Sequence, residues 1–129
     1  MKKISIIIPA WIRNDELYGL TNRTLASFFQ SRGWDKCELV VVDNASPIGG
    51  DQLLKISDIY VRNKVNLGYP KAVNQGIKLA SGDLIVVAND DIRVSPNWID
   101  VTLESFRHIK KLGSLHFKMV RYDLATEAV

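Results

Sequence analysis

Leu84-Ile85-Val86-Val87-Ala88-Asn89-Asp90-Asp91 decides how this chain is read. An apolar run ends abruptly in a polar residue and two adjacent carboxylates. Such a run, bounded by turn residues, predicts a strand buried on both faces, as in a parallel sheet. In open α/β sheets, ligands bind beyond the carboxyl ends of the strands. Two carboxylates confined there repel each other, and a hard divalent cation is the usual way to offset that cost. A second apolar run, Glu38-Leu39-Val40-Val41-Val42, also ends in a carboxylate, Asp43. Two Asp-tipped strands predict one polar site built by the sheet.

Working outward, strand and helix patterns alternate. Lys3 to Ile8 reads as the first strand. Asp15 can cap a helix to about Gln30, with Leu17, Leu20, Thr24, Leu25 and Phe28 on one face. After the Glu38 strand, Asn44 to Gly50 is loop by composition, and a short helix follows near Asp51 to Lys55. Asp58 to Arg62 is a strand, and Asn63 to Tyr69 is turn-rich. Pro70 to about Ala80 is a helix with Pro in its first turn and Val73, Ile77 and Ala80 on its buried side. Ser81-Gly82-Asp83 returns the chain to the Leu84 strand. Ser95 then caps a helix with Pro96 at its first position and Ile99, Leu103, Phe106 and Ile109 at helical spacing. Gly113 ends that helix, and Leu115 to Val120 is a candidate further strand. The alternation predicts an α/β fold: a Rossmann-like, mostly parallel sheet with helices on both faces.

The composition bounds the function. Hydrophobic residues make up 47% of 129 residues, enough for one real core. Lys and Arg number 17 against 14 Asp and Glu, so the net charge of +3 is small and spread out. A nucleic-acid partner would need a clustered basic face, and none is present. The single cysteine, Cys37, excludes an internal disulfide and fits a reducing compartment. No apolar run approaches the ~20 residues of a membrane span. The N-terminal Met1 to Ile8 segment is too short, and too soon interrupted by Pro9, for a signal peptide. No Gly-x-Gly-x-x-Gly follows the first strand. Pro9 to Asp15 contains no glycine, so the phosphate cradle of dinucleotide-binding folds is missing. A phosphorylated ligand would need its charge met another way, and Mg²⁺ or Mn²⁺ held by Asp90 or Asp91 would do so.

Four segments together resemble the nucleotide-sugar-binding half of the GT-A-fold glycosyltransferases, specifically family 2. They are Ile4-Ser5-Ile6-Ile7-Ile8-Pro9-Ala10-Trp11, Val40-Val41-Val42-Asp43-Asn44-Ala45-Ser46, Asn66 to Asp83, and Ala88-Asn89-Asp90-Asp91. The third is similar to the family pattern Asn-x-Gly, then Ala-x-x-Asn-x-Gly, then Ala-x-Gly-Asp. The fourth is similar to its Asp-x-Asp-type metal motif, with Asn89 where many members have Asp. The resemblance covers roughly residues 3 to 100.

The resemblance implies a role for each matched residue. Asp43 would accept a hydrogen bond from the nucleobase, which is uracil in many members. Pro9, Ala10 and Trp11 would line the base and ribose. Asn66, Gly68, Lys71 and Asn74 would lie near the nucleotide, with Lys71 able to approach phosphate. Asn89 and Asp90 would stand beside ribose or metal, and Asp91 would bind Mn²⁺ or Mg²⁺ bridging the diphosphate. The implied partner is a nucleotide diphosphate sugar, most often a UDP-sugar, with a glycan, lipid or protein acceptor.

The implied reaction is metal-dependent transfer of the sugar to an acceptor hydroxyl, with inversion. Such a displacement needs a general base on the acceptor side. The late carboxylates Asp123 and Glu127 lie in no recognisable motif, so no base is identified. The alternative is a non-catalytic or truncated nucleotide-sugar-binding domain. The expected organisation is a single domain over residues 1–129, incomplete at its C-terminal end. The expected location is cytoplasmic, with membrane-peripheral attachment only through a portion outside this chain. A nucleotidyltransferase would show a Gly- and basic-rich loop after the first strand. A receiver module would place its acidic residues after that strand. Neither pattern is present.

Overall fold

A computed structural model describes residues 4–121. Lys3, Asp123 and Glu127 lie outside the described residues. The elements are β1 (Ile4–Ala10), α1 (Asp15–Phe29), β2 (Cys37–Asp43), α2 (Gly50–Ile56), β3 (Ile59–Arg62), α3 (Tyr69–Leu79), β4 (Leu84–Val87) and α4 (Trp98–His108), with one 3₁₀ turn at Trp34–Lys36.

The four strands form one sheet in the order β3-β2-β1-β4. All pairings are parallel, with registers from Ile4↔Cys37 to Ala10↔Asp43, Ile4↔Leu84 to Ile7↔Val87, and Val40↔Ile59 to Asp43↔Arg62. β1 and β2 are fully buried, as their near-continuous apolar sequences require. Alternation divides their side chains between two layers. Ile4, Ile6, Ile8, Leu39 and Val41 join Leu25 and Phe28 of α1, Leu53 of α2, and Trp98 and Ile99 of α4 in one core cluster. Ile7 points to the opposite face, where α3 lies against it at Gly76. No helix among the described residues is long and apolar enough to cross a membrane.

Several local expectations are corrected. β4 is an edge strand, so Ile85 and Val87 are 42% and 43% exposed instead of buried on both faces. The cap of α1 is Asn14, whose side chain accepts from the Leu17 amide at 2.9 Å, and Asp15 is the first helical residue. Ser95-Pro96 opens a turn, and α4 starts only at Trp98. On α3 the buried residues are Ala72 and Gly76, while Ile77 is exposed. Leu115 to Val120 forms no strand; this irregular segment lays Phe117 edge-on against Trp98 with centroids 6.4 Å apart.

The far end of the sheet from the Asp pair is held by Glu38. Its carboxylate is buried and accepts from Ser5 Oγ at 2.5 Å, the Ser81 amide at 2.6 Å and Ser81 Oγ at 2.7 Å. Ser5 Oγ also accepts from the Gly82 amide at 2.7 Å. This network pins the turn that launches β4. Burial raises the Glu38 carboxyl, but the hydrogen bonds from Ser5, Ser81 and Gly82 outweigh it and leave the group below its ordinary value.

Candidate functional site

The chain runs from β1 through β2 to β3 on one side of the sheet, then crosses to β4 on the other. The carboxyl ends of β1 and β4 therefore border a topological switch point, the expected place for a ligand. A cavity of about 400 Å³ opens there. Pro9, Ala10, Trp11 and Arg13 line it from the β1 end, and Leu17, Leu20 and Thr21 from α1. Asn44 lines it after β2, Asn66 and Gly68 before α3, Tyr69 at the start of α3, and Asn89, Asp90 and Asp91 after β4.

A row of hydroxyls on α1, continued by Ser31 just past its end, positions the acidic loop and the start of α4. Thr21 Oγ1 lies 3.4 Å from Asp90 Oδ2, and Thr24 Oγ1 donates to the Asp90 carbonyl at 3.0 Å. Ser27 Oγ accepts from the Val94 amide at 3.2 Å, and Ser31 Oγ accepts from Trp98 Nε1 at 2.9 Å. These bonds run down the helix in step with residues 90–98, so α1 fixes where the carboxylates stand. Burial, and then the charge of Asp91, raise the Asp90 carboxyl above its ordinary value; hydrogen bonds from the Trp11 backbone and Thr21 oppose this.

Asn44 ties down the opposite wall. Its Oδ1 accepts from Asn63 Nδ2 and the Leu67 amide, both at 3.0 Å, and its Nδ2 donates to the Gly68 carbonyl at 3.2 Å. Asn63 and Gln75 exchange two side-chain bonds at 2.8 Å, which joins this wall to α3. Gly68 has φ +85 and ψ 163, a conformation essentially restricted to glycine, so only glycine makes this turn into α3 without strain.

Asp43 lies outside the cavity lining, fully buried, with its carboxylate engaged by residues that border a neighbouring groove. Oδ1 accepts from the Ser46 amide at 2.8 Å, and Oδ2 accepts from Tyr60 OH at 2.7 Å and pairs with Arg62. Burial and then the bond to Asp43 raise the Tyr60 phenol above its usual range. Arg62 also donates to the Ser46 carbonyl at 2.8 Å, and Ser46 Oγ accepts from the Ile12 amide at 2.8 Å. The cluster thus braces the loop after β2 against the loop after β1, and holds Ala45 in a left-handed conformation with φ 65. Lys71 and Asn74 are exposed on α3, outside the cavity lining.

The cavity thus gathers Pro9, Ala10, Trp11, Asn66, Gly68, Asn89, Asp90 and Asp91 from the sequence-predicted set, and leaves Asp43, Lys71 and Asn74 outside its lining. It adds Arg13, Leu17, Leu20, Thr21, Asn44 and Tyr69. Thr21 carried a faint signal, a hydroxyl in the apolar face of an amphipathic helix. A larger groove of about 960 Å³ opens past Tyr18, Gln52 and Arg62, and holds none of the predicted site residues.

Among the described residues, no cluster of three His, Cys, Asp or Glu side chains could hold a metal unaided. The Asp90–Asp91 pair fits a different kind of site, in which one or two carboxylates share a hard cation with ligand phosphates and water.

The model of glycosyl transferase family 2 matches residues 5–123. The chain belongs to that family. Among family 2 relatives, it is 31% identical over 111 residues to a dolichol-phosphate mannosyltransferase of Pyrococcus furiosus, covering 82% of this chain and 30% of that protein. It is 25% identical over 120 residues to a poly-beta-1,6-N-acetyl-D-glucosamine synthase of Staphylococcus aureus, covering 89% of this chain and 28% of the synthase. The chain therefore spans under a third of the length of these glycosyltransferases. Its fold is that of S. aureus TarS residues 1–349, with a TM-score of 0.70 and 21% identity over 82% of this chain and 33% of that 1–349 chain. TarS 1–349 in complex with UDP-GlcNAc superposes equally well, with a TM-score of 0.70 and 19% identity over 88% of this chain and 37% of that one.

Proposed function

We propose that the cavity between the ends of β1 and β4 binds a nucleotide diphosphate sugar, with UDP-sugars the best fit. On this reading the protein transfers the sugar to an acceptor hydroxyl in a metal-dependent, inverting reaction. One observation carries the proposal. A half-exposed indole, Trp11, and an acidic pair, Asp90 and Asp91, line a single cavity at the switch point of a parallel sheet. Family membership and the UDP-GlcNAc complex of TarS support it.

Pro9, Ala10 and Trp11 would receive the base and ribose, because they offer backbone and an aromatic face with little charge. Asn66, Gly68, Asn89 and Asp90 would surround the nucleotide's polar middle. Asp91, with Asp90, would hold Mn²⁺ or Mg²⁺. When bound, the cation would stabilise charge building on the leaving diphosphate. Among the described residues Asp43 Oδ1 accepts only the Ser46 amide, so a base would use its remaining lone pair with Tyr60 and Arg62 still on Oδ2, and Lys71 and Asn74 would act from the exposed side of α3. Direct displacement needs a base on the acceptor's side of the sugar, opposite the diphosphate. Asp90 and Asp91 are assigned to the diphosphate side and cannot also serve there.

A second reading, a domain that holds the donor without transferring it, is favoured by one feature. Asp90 and Asp91 are the only carboxylates in the cavity lining among the described residues. A thermal-shift series with UDP-GlcNAc and UDP-glucose, followed by an assay for released UDP, tests both readings. Ligand binding to the native state raises Tm as concentration passes the dissociation constant. A shift with UDP release supports transfer, and a shift without release supports the binding-only reading. No shift with any nucleotide sugar contradicts the proposal.

A further inference from the structure

A diphosphate in the cavity would meet two carboxylates, and the cavity must supply positive charge besides any cation. Among the described residues, Arg13 is the one cationic side chain in its lining. Lys71, which the family resemblance places near phosphate, is exposed outside that lining. Arg13 forms no ion pair with Asp90 or Asp91 among the described residues; its guanidinium rests over the Trp11 ring, 4.6 Å from the centroid. A guanidinium on an exposed aromatic face is held weakly and keeps its N–H donors directed outward. It therefore lies in the cavity lining with donors uncommitted to any carboxylate.

We propose that Arg13 is the phosphate-recognition residue of this site, exchanging its contact with Trp11 for the anionic part of the ligand on binding. The assignment rests on the nucleotide-sugar reading above and makes it more specific. It predicts selectivity for phosphorylated over unphosphorylated nucleosides that depends on Arg13. Guanidinium suits this role because its fork of donors matches phosphate oxygens in pairs. The exchange breaks no buried contact, since Trp11 and Arg13 are both exposed.

The test is calorimetric titration with uridine, UMP and UDP of the wild type, Arg13→Ala, Arg13→Lys and Lys71→Ala, each checked for an unchanged Tm. The expected result is a loss of about tenfold or more in UDP affinity for Arg13→Ala, the scale of one charge-assisted contact, with uridine unaffected. Arg13→Lys recovers part of the loss, Lys71→Ala loses less than Arg13→Ala, and the Arg13 effect narrows as salt rises. Equal weakening of uridine and UDP in Arg13→Ala, no weakening, or a larger loss in Lys71→Ala overturns the assignment and leaves the nucleotide site standing. Failure of the wild type to bind any of the three overturns the nucleotide reading and this assignment with it.

Discussion

Replacing Gly76 with Ala tests how α3 is seated on the sheet. A Cβ at Gly76 would stand 2.4 Å from Ile7 Cγ2 and 3.4 Å from both Ile7 Cβ and Cγ1. Carbon atoms are comfortable at about 3.5–4.0 Å, so the nearest contact is more than an ångström too close. Ile7 is fully buried in β1 between β2 and β4, and its Cγ2 is attached directly to Cβ, so it cannot swing aside as a long side chain would. Overpacking of this kind costs about 1–3 kcal/mol, and the rigidity of Ile7 places this case at the upper end. Alanine in place of glycine in a helix returns about 1 kcal/mol. The net expectation is a loss of ~1–2 kcal/mol. For 129 residues the unfolding entropy is about 0.27 kcal/mol/K, so Tm falls by ~4–7 °C. Because α3 begins directly after Gly68, a lifted helix also displaces the Asn66–Gly68 wall, and UDP affinity falls. Calorimetry of Gly76→Ala, Ile7→Ala and the double variant separates the effects. Ile7→Ala removes Cγ2, so Gly76→Ala becomes neutral or stabilising in that background. A higher Tm for Gly76→Ala alone, or the same loss in both backgrounds, refutes the contact argument.

Two further outcomes follow from the polar networks. Glu38→Gln keeps an acceptor and loses the charge held by Ser5, Ser81 and Gly82; at pH 7 it is less stable by about 1–2 kcal/mol in denaturant unfolding. The folded carboxyl lies below its ordinary 4.5, so the wild-type advantage is complete above that pH. The advantage vanishes as pH falls through the lower folded value, and a gap unchanged at pH 3 would contradict the network. Asn44→Ala removes three bonds that hold the wall from Asn63 to Gly68; it raises hydrogen exchange at Leu67 and weakens nucleotide binding, whereas unchanged protection there would show that the wall stands without it.

The elements were legible because their signals are local. Apolar runs mark the strands, Gly82 marks the return turn before β4, and Pro70 sits in the first turn of α3 as its fixed φ allows. What failed depended on neighbours. The Leu84 run looks the same whether its strand is central or at an edge, so the exposure of Ile85 and Val87 was not readable. Helical spacing points to Val73, Ile77 and Ala80 as the buried stripe of α3, but the buried residues are the small Ala72 and Gly76, and at Gly76 the close approach to Ile7 leaves no room for a side chain. Strand ends with carboxylates pointed to the cavity. The residues that shape it, Thr21, Thr24, Ser46 and Asn44, are ordinary helix and loop types whose importance lies in what they touch. Asp43 shows the converse: its position at a strand end was plain, yet its engagement by Tyr60, Arg62 and Ser46 required the folded chain.

The most direct test of the donor site is calorimetric titration of the protein with UDP, with and without Mn²⁺, on wild type and Asp91→Ala. The expected result is binding by the wild type that depends on Mn²⁺ and is lost in Asp91→Ala while the fold stays intact. Absence of UDP binding in both conditions, or binding indifferent to Mn²⁺ and to Asp91, would contradict it.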